Sequence, residues 1–160
     1  MSKPIKLSII KSEEWMRRLF SRAESIGKLG EVPVAAVVLD GNGRCIGHGS
    51  NSRSRNRNPL GHAEITALEQ ASWIRGDWRF NDCTLIVNLE PCPMCAGALI
   101  QARMGQIIFG AFDFKRGALG GTIDLSKHKS SHHRMVVVGG ILKDQASSQI
   151  QNWFKQKRNQ

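Results

Sequence analysis

Apolar residues recur along this chain with two periods, and the period changes often enough to predict alternating helices and strands. Ser12 can cap a helix whose first turn holds Glu13 and Glu14 and whose apolar stripe runs through Trp15, Met16, Leu19, Phe20, Ala23 and Ile26, ending before Gly27. Residues 32–39 form a strand-like apolar run, Asp40-Gly-Asn-Gly43 supplies turn-favouring residues, and residues 44–49 make a second strand. A β-hairpin is predicted there. The polar stretch 51–61, with Arg53, Arg55 and Arg57, leads into a helix from 62 to about 75. Beyond it the pattern predicts a strand over 83–89, a turn at Glu90-Pro91, and a helix over 92–103 with Met94, Ala98, Leu99 and Ala102 apolar. Strands over 106–111 and 135–139 follow, then a last helix from 143 to about 158. A hairpin followed by strand-helix units implies an α/β fold, a mixed five-stranded sheet with helices on both faces, in one domain over residues 1–160.

Nothing else divides the chain, which shows no internal repeat, low-complexity block or linker. At 160 residues and 41% hydrophobic content it can bury a core without disulfides. No apolar run approaches the ~20 residues of a membrane span, and residues 7–10 are too short for a signal-peptide core, so a cytoplasmic location is expected. Gly41, Gly43 and Gly47 superficially suggest a nucleotide loop, yet they open a strand and lack the helix that would bind a phosphate. Cys45 and Cys83, inside strand-like runs, are expected as small buried core residues, and Trp73 and Trp78 as packed aromatics.

Charge changes the picture. Twenty-three Lys and Arg against 13 Asp and Glu give a formal +10. Residues 127–160 hold seven basic residues (Lys127, Lys129, Arg134, Lys143, Lys155, Lys157, Arg158) against one acid, Asp144. That concentration points to a polyanionic partner, gripped through phosphates by a basic face. His128, His132 and His133 are interleaved with these cations and read as part of that basic loop, not as a second metal site. Trp153 and Phe154 are adjacent in the basic helix, so one of the two rings is expected in the core and one outside.

The candidate chemistry lies elsewhere, in His62-Ala-Glu64 followed after 26 residues by Pro91-Cys92-Pro-Met-Cys95. One imidazole and two thiolates suit tetrahedral Zn²⁺ and leave its fourth position open, which is the mark of a catalytic ion. Both ligand sets fall at predicted helix starts, where the helix dipole stabilises thiolates. Glu64, half a turn from His62, can face the same cavity and serve as base, then acid. This H-x-E and P-C-x-x-C combination is the signature of zinc nucleobase deaminases.

The resemblance extends further. Glu31-Val-Pro-Val34, His62-Ala-Glu-Ile65, Leu89-Glu-Pro-Cys-Pro-Met-Cys-Ala-Gly-Ala98, Phe109-Gly-Ala, Asp113-x-Lys115-x-Gly117-Ala118 and Gly140-Ile-Leu142 resemble the bacterial tRNA-specific adenosine deaminases (TadA type) of the cytidine/deoxycytidylate deaminase superfamily, over nearly the whole chain. The resemblance implies a three-layer α/β/α cytidine-deaminase-like fold, a homodimer, and conversion of adenosine to inosine at the wobble position of a tRNA anticodon. It implies one Zn²⁺ per subunit on His62, Cys92 and Cys95, with Glu64 moving protons. Carried over by position, Asn51 would hydrogen-bond the flipped base, with Ala63 and Glu90 also at the substrate. Asp113, Lys115, Phe154 and Lys157 would contact neighbouring nucleotides, with Trp153 packed inside. Departures from the pattern are Ala35 for glycine, Gly61 for alanine, Gly121 for serine and His132 for asparagine. The zinc core alone leaves two other readings open: a deaminase of a free nucleobase or nucleoside of guanine or cytosine type, and a non-catalytic, zinc-stabilised RNA-binding module.

Overall fold

Alternation along the central strands assigns their side chains to two separate cores, and those cores define the layers. A computed structural model describes residues 6–160. Its strands are β1 (Ala35–Leu39), β2 (Cys45–Ser50), β3 (Thr84–Leu89), β4 (Gln106–Ala111) and β5 (Val136–Gly139), and its helices are α1 (Ile9–Lys28), α2 (Ala63–Arg75), α3 (Pro93–Gln101) and α4 (Lys143–Arg158). The sheet order is β2-β1-β3-β4-β5. β1 runs antiparallel to β2 and β3, whereas β4 runs parallel to β3 and β5, as expected of a hairpin followed by crossover units. Ala36, Val38, Leu85, Val87, Ile107 and Phe109 meet Ala63, Ala67, Ala71, Ala96 and Leu99 of α2 and α3 on one face. Ala35, Val37, Leu39, Ile86 and Ile108 meet Met16, Leu19 and Ala23 of α1 on the other, with Ile141 and Leu142 leading into α4. The result is the expected three-layer α/β/α arrangement.

Local departures have physical causes. α1 starts at Ile9, because Ser8 and not Ser12 is the cap, its Oγ accepting from Lys11 N at 3.2 Å. Ser12 lies inside the helix, buried, its hydroxyl donating to Ser8 O. The helix also runs through Gly27 to Lys28: the Trp153 ring occupies the space a side chain would need there, and its Nε1 donates to Gly27 O at 2.9 Å. Cys83 is buried as expected, but Cys45 is exposed at the start of the edge strand β2, where a register shift opposite Leu39 interrupts the pleat. Trp73, at 87% exposed, and Trp78 do not pack. Trp73 lies past the last buried position of α2, Ala71, and Trp78 in the connection to β3.

α2 approaches β2 closely because Gly47 and Gly49 present no side chain beneath it. A Cβ on Gly49 would stand 2.7 Å from Ala67 N, and one on Gly47 2.8 Å from Ala71 N. Main chain cannot yield as a side-chain tip can, so this contact sets the distance of α2 from the sheet. Gly49→Ala is therefore expected to lower stability by roughly 1–3 kcal/mol. Gly97→Ala, within α3 and with nothing within 4 Å of the added methyl, should raise it by about 0.5–1 kcal/mol. Urea unfolding of both variants checks the pair, and equal effects would place the limiting contact elsewhere.

Candidate active site

Two helix starts meet beside the α2 and α3 face of the sheet. His62 occupies the N-cap of α2 with extended backbone, and its side chain makes no capping hydrogen bond. Cys92 occupies the N-cap of α3, Pro93 fits the first turn where no N–H is needed, and Cys95 follows in that turn. His62 Nδ1 stands 3.6 Å from Cys92 Sγ and 3.4 Å from Cys95 Sγ. The three donor atoms lie within 4.8 Å of one another, the one such group of His, Cys, Asp or Glu among the described residues. Tetrahedral zinc, with bonds of about 2.0–2.1 Å to nitrogen and 2.3 Å to sulfur, requires N···S edges of about 3.5 Å. The donor set thus fits such an ion in spacing and in chemistry.

The thiols share one proton. A hydrogen bond from Cys95, reinforced by His62, pulls the Cys92 thiol down to about 4 against its burial. Its hydrogen bond to Cys92, together with burial, pushes the Cys95 thiol well up. His62 is raised by its hydrogen bond to Cys92, against burial. Glu64, 4% exposed, sits one residue inside α2. Burial pushes its carboxyl up to about 7, which suits a group that must take and give a proton near neutral pH. Asn51 is buried directly after β2, and its Oδ1 accepts from Ala63 N at 3.0 Å. That bond fixes the amide plane, and among the described residues nothing accepts from Nδ2.

Residues 10–158 match the MafB19-like deaminase family. The tRNA-specific adenosine deaminase of Bacillus subtilis (strain 168) is 35% identical over 146 residues, 91% of this chain and 90% of that protein. A solved structure from work on A-to-I editing by tRNA:A34 deaminases at the wobble position superimposes with a TM-score of 0.81 at 31% identity, covering 85% of this chain and 98% of that one. The guanine deaminase of Nitrosomonas europaea, at 22% identity, shares the fold (TM-score 0.75, 88% of this chain and 83% of that one). The chain belongs to the tRNA-specific adenosine deaminase family.

Within this adenosine deaminase chain Glu90 organises the outer loop. Its buried carboxylate accepts from Asp113 N at 2.8 Å, Leu119 N at 3.0 Å and Gly121 N at 2.7 Å. Any contact of Glu90 with a ligand would come through its main chain, and the same holds for Ala63, whose N–H is taken by Asn51. Gly121, the departure from serine, has no room here for a Cβ, which would press on Glu90 and on the carbonyl of Asp113. Asp113 Oδ1 accepts from Lys115 N and Arg116 N, both at 3.0 Å, and the Lys115 side chain points to solvent.

Phe154 and Lys157 stand on α4, across the sheet from α2 and α3. The Phe154 ring is exposed and meets Trp153 edge-on at 5.0 Å, while Trp153 is tied to α1. His128 is engaged with Ser130, and His133 Nε2 donates to Met104 O at 2.7 Å. Sequence reasoning gave no role to two positioning residues. Asn88 Oδ1 accepts from Ala35 N and its Nδ2 donates to Pro33 O, locking the end of β3 to the entry of β1. Glu31 accepts from Arg55 N at 2.7 Å and so pins the arginine-bearing loop. A lone asparagine between Val87 and Leu89 was the available signal for the first.

Removing the Glu90 carboxylate leaves three main-chain donors without an acceptor. Glu90→Ala should cost roughly 2–4 kcal/mol in urea unfolding and speed hydrogen exchange at Asp113, Leu119 and Gly121. Unchanged exchange at those three amides would show that the loop holds itself.

Proposed function

We propose that this chain is a zinc-dependent hydrolytic deaminase, a single catalytic domain that converts adenosine to inosine at the wobble position of a tRNA anticodon. The observation that carries this is the packing of His62, Cys92 and Cys95 into one three-donor group beside buried Glu64, in a member of the tRNA-specific adenosine deaminase family. Its tRNA substrate is consistent with the +10 charge and the basic tail. No helix among the described residues is long and apolar enough to cross a membrane.

His62, Cys92 and Cys95 would hold the ion, which when bound supplies a water acidified to near neutral pH and an open position for it. Glu64 holds the other half of the chemistry. Its carboxylate takes one proton from the attacking water as oxygen reaches C6 of adenine and passes it to N1. It then takes the second from the new C6 hydroxyl and passes it to the amine, which leaves as ammonia when the C–N bond breaks. Burial serves this cycle, since a carboxyl poised near 7 gives up its proton as readily as it takes one. Asn51, held by Ala63 N, offers its free Nδ2 to a ring acceptor of the flipped base. Asp113 and Lys115 on one side and Phe154 and Lys157 on the other contact the flanking RNA. The free-nucleobase reading gains nothing from the basic surface, and the 22% identity to the Nitrosomonas europaea guanine deaminase supports a common fold, not a common substrate. A closed structural zinc site would need a fourth ligand, and Glu64 lies outside the three-donor group.

The homodimer belongs to the same proposal. Trp73, Ile74 and Trp78 leave an exposed apolar surface at the end of α2, of the kind that marks a protein contact. Light scattering should give about twice the 17.8 kDa of one chain, and Trp73→Glu should shift the mass toward one chain. A single-chain mass for the unaltered protein, with full activity on tRNA, would overturn the dimer.

The decisive experiment measures inosine in an anticodon stem-loop together with bound zinc. Glu64→Gln should lower turnover by about 10²–10⁴-fold with zinc content intact. Chelation should abolish turnover, and added Zn²⁺ should restore it in the unaltered protein alone. Near-normal turnover by Glu64→Gln would remove the assigned role.

A further inference from the structure

The segment leaving β4 exposes two aromatic rings that neither the core nor the chemistry above uses. The Phe112 ring is held from behind, edge-on to Phe109 with centroids 5.1 Å apart and planes at 87°. Gly139 leaves it room, since a Cβ there would stand 3.0 Å from Phe112 Cζ. Phe114 lies nearly parallel to Phe112, at 6.0 Å and 13°, and is 77% exposed. Such exposure of an apolar ring follows from a built turn, not from a loose end. Asp113 accepts through Oδ1 from the main chain of Lys115 and Arg116, and through its carbonyl from Gly117 N at 2.8 Å. The side chains of Lys115 and Arg116 are exposed beside the ring, and neither forms an ion pair among the described residues.

This turn is coupled to the candidate active site through two bonds. Asp113 N donates to Glu90 Oε2, and Ala118 N donates to Pro91 O at 2.9 Å, the residue before Cys92. A flat ring pair with one open face, bounded by two unpaired cations and fixed to the start of α3, fits a base and its phosphate. An apolar protein surface would leave those cations unpaired. Bases of RNA loops that are splayed from their stack are commonly held in this way.

We propose that Phe114, backed by Phe112, is a stacking platform for an unpaired nucleobase next to the target adenosine, with Lys115 and Arg116 on its phosphates. The proposal deepens the reading of this chain as an anticodon deaminase and rests on it. The platform is sequence-tolerant, because every base offers a π face, so it positions the loop without choosing the neighbouring base.

The test uses the zinc-loaded full chain and an anticodon stem-loop carrying 2-aminopurine, in turn, at each nucleotide flanking the target. Binding should quench one flanking position. Phe114→Ala should relieve that quench and weaken stem-loop binding by about tenfold to a hundredfold, whereas Phe114→Trp should keep both. An abasic nucleotide at the quenched position should weaken binding of the unaltered protein by a similar factor and cost Phe114→Ala little more, which a merely structural role would not produce. Binding by Phe114→Ala within twofold of the unaltered protein, with the quench kept, would overturn the platform. So would a changed molecular mass with RNA affinity intact, which would assign the rings to a protein contact. Inosine formation by the unaltered protein on the same stem-loop separates the two levels. Its absence defeats the functional reading, whereas its presence with an indifferent Phe114→Ala defeats the platform alone.

Discussion

Everything at the site depends on two helix N-termini being held a few ångströms apart. Side chains from α2 and α3 can converge on one point only if each helix starts at a fixed height above the sheet. For α2 that height is set by main chain lying directly on Gly47 and Gly49. For α3 it is set by the short passage from β3 through Glu90 and Pro91. Asn51 and Asn88 then remove the remaining freedom, one tying the loop after β2 to the first turn of α2, the other tying β3 to the entry of β1. A shift of one ångström in either helix would break the N···S spacings of 3.4 and 3.6 Å.

That geometry has an electrostatic cost, since two thiols, an imidazole and a buried carboxyl share a small volume. Mutual hydrogen bonds hold the Cys92 thiol low and the Cys95 thiol and the His62 imidazole high, while burial holds the Glu64 carboxyl high. The positive ends of α2 and α3 offset part of the negative charge. A divalent ion on His62, Cys92 and Cys95 would complete the balance.

Much of this was legible in the sequence, for reasons that also explain the rest. The five strands and four α-helices were found, because turn residues such as Asp40-Gly-Asn-Gly43 and the loop after Ser50 separate them cleanly, whereas the short 3-10 helix Leu125–Lys127 was not. Strands buried on both faces read as continuous apolar runs, so which core Ala35 or Ala36 enters was visible only in the fold. The three-donor group of His62, Cys92 and Cys95 was legible because its chemistry is rare at that spacing. Trp73 misled because hydrophobicity says that a ring wants cover, not whether its own domain supplies it. Glu90 was placed at the substrate by resemblance, and its three bonds run to amides 23, 29 and 31 residues onward, separations that no local pattern encodes.

Glu90 also ties the loop proposed to grip RNA to the start of α3. One carboxylate, two residues before Cys92, holds the loop that carries Phe114, Lys115 and Arg116. The loop is therefore tied to the start of α3. Gly117 and Gly121 lack side chains because that carboxylate already fills the space, so the glycines accommodate the anchor and serve no separate role in flexibility. A serine at position 121 would demand a different path for the loop, and with it a different position for the rings it carries. The departure at Gly121 thus bears on the loop proposed to hold RNA, while His62, Cys92 and Cys95 sit at the starts of α2 and α3, outside that loop.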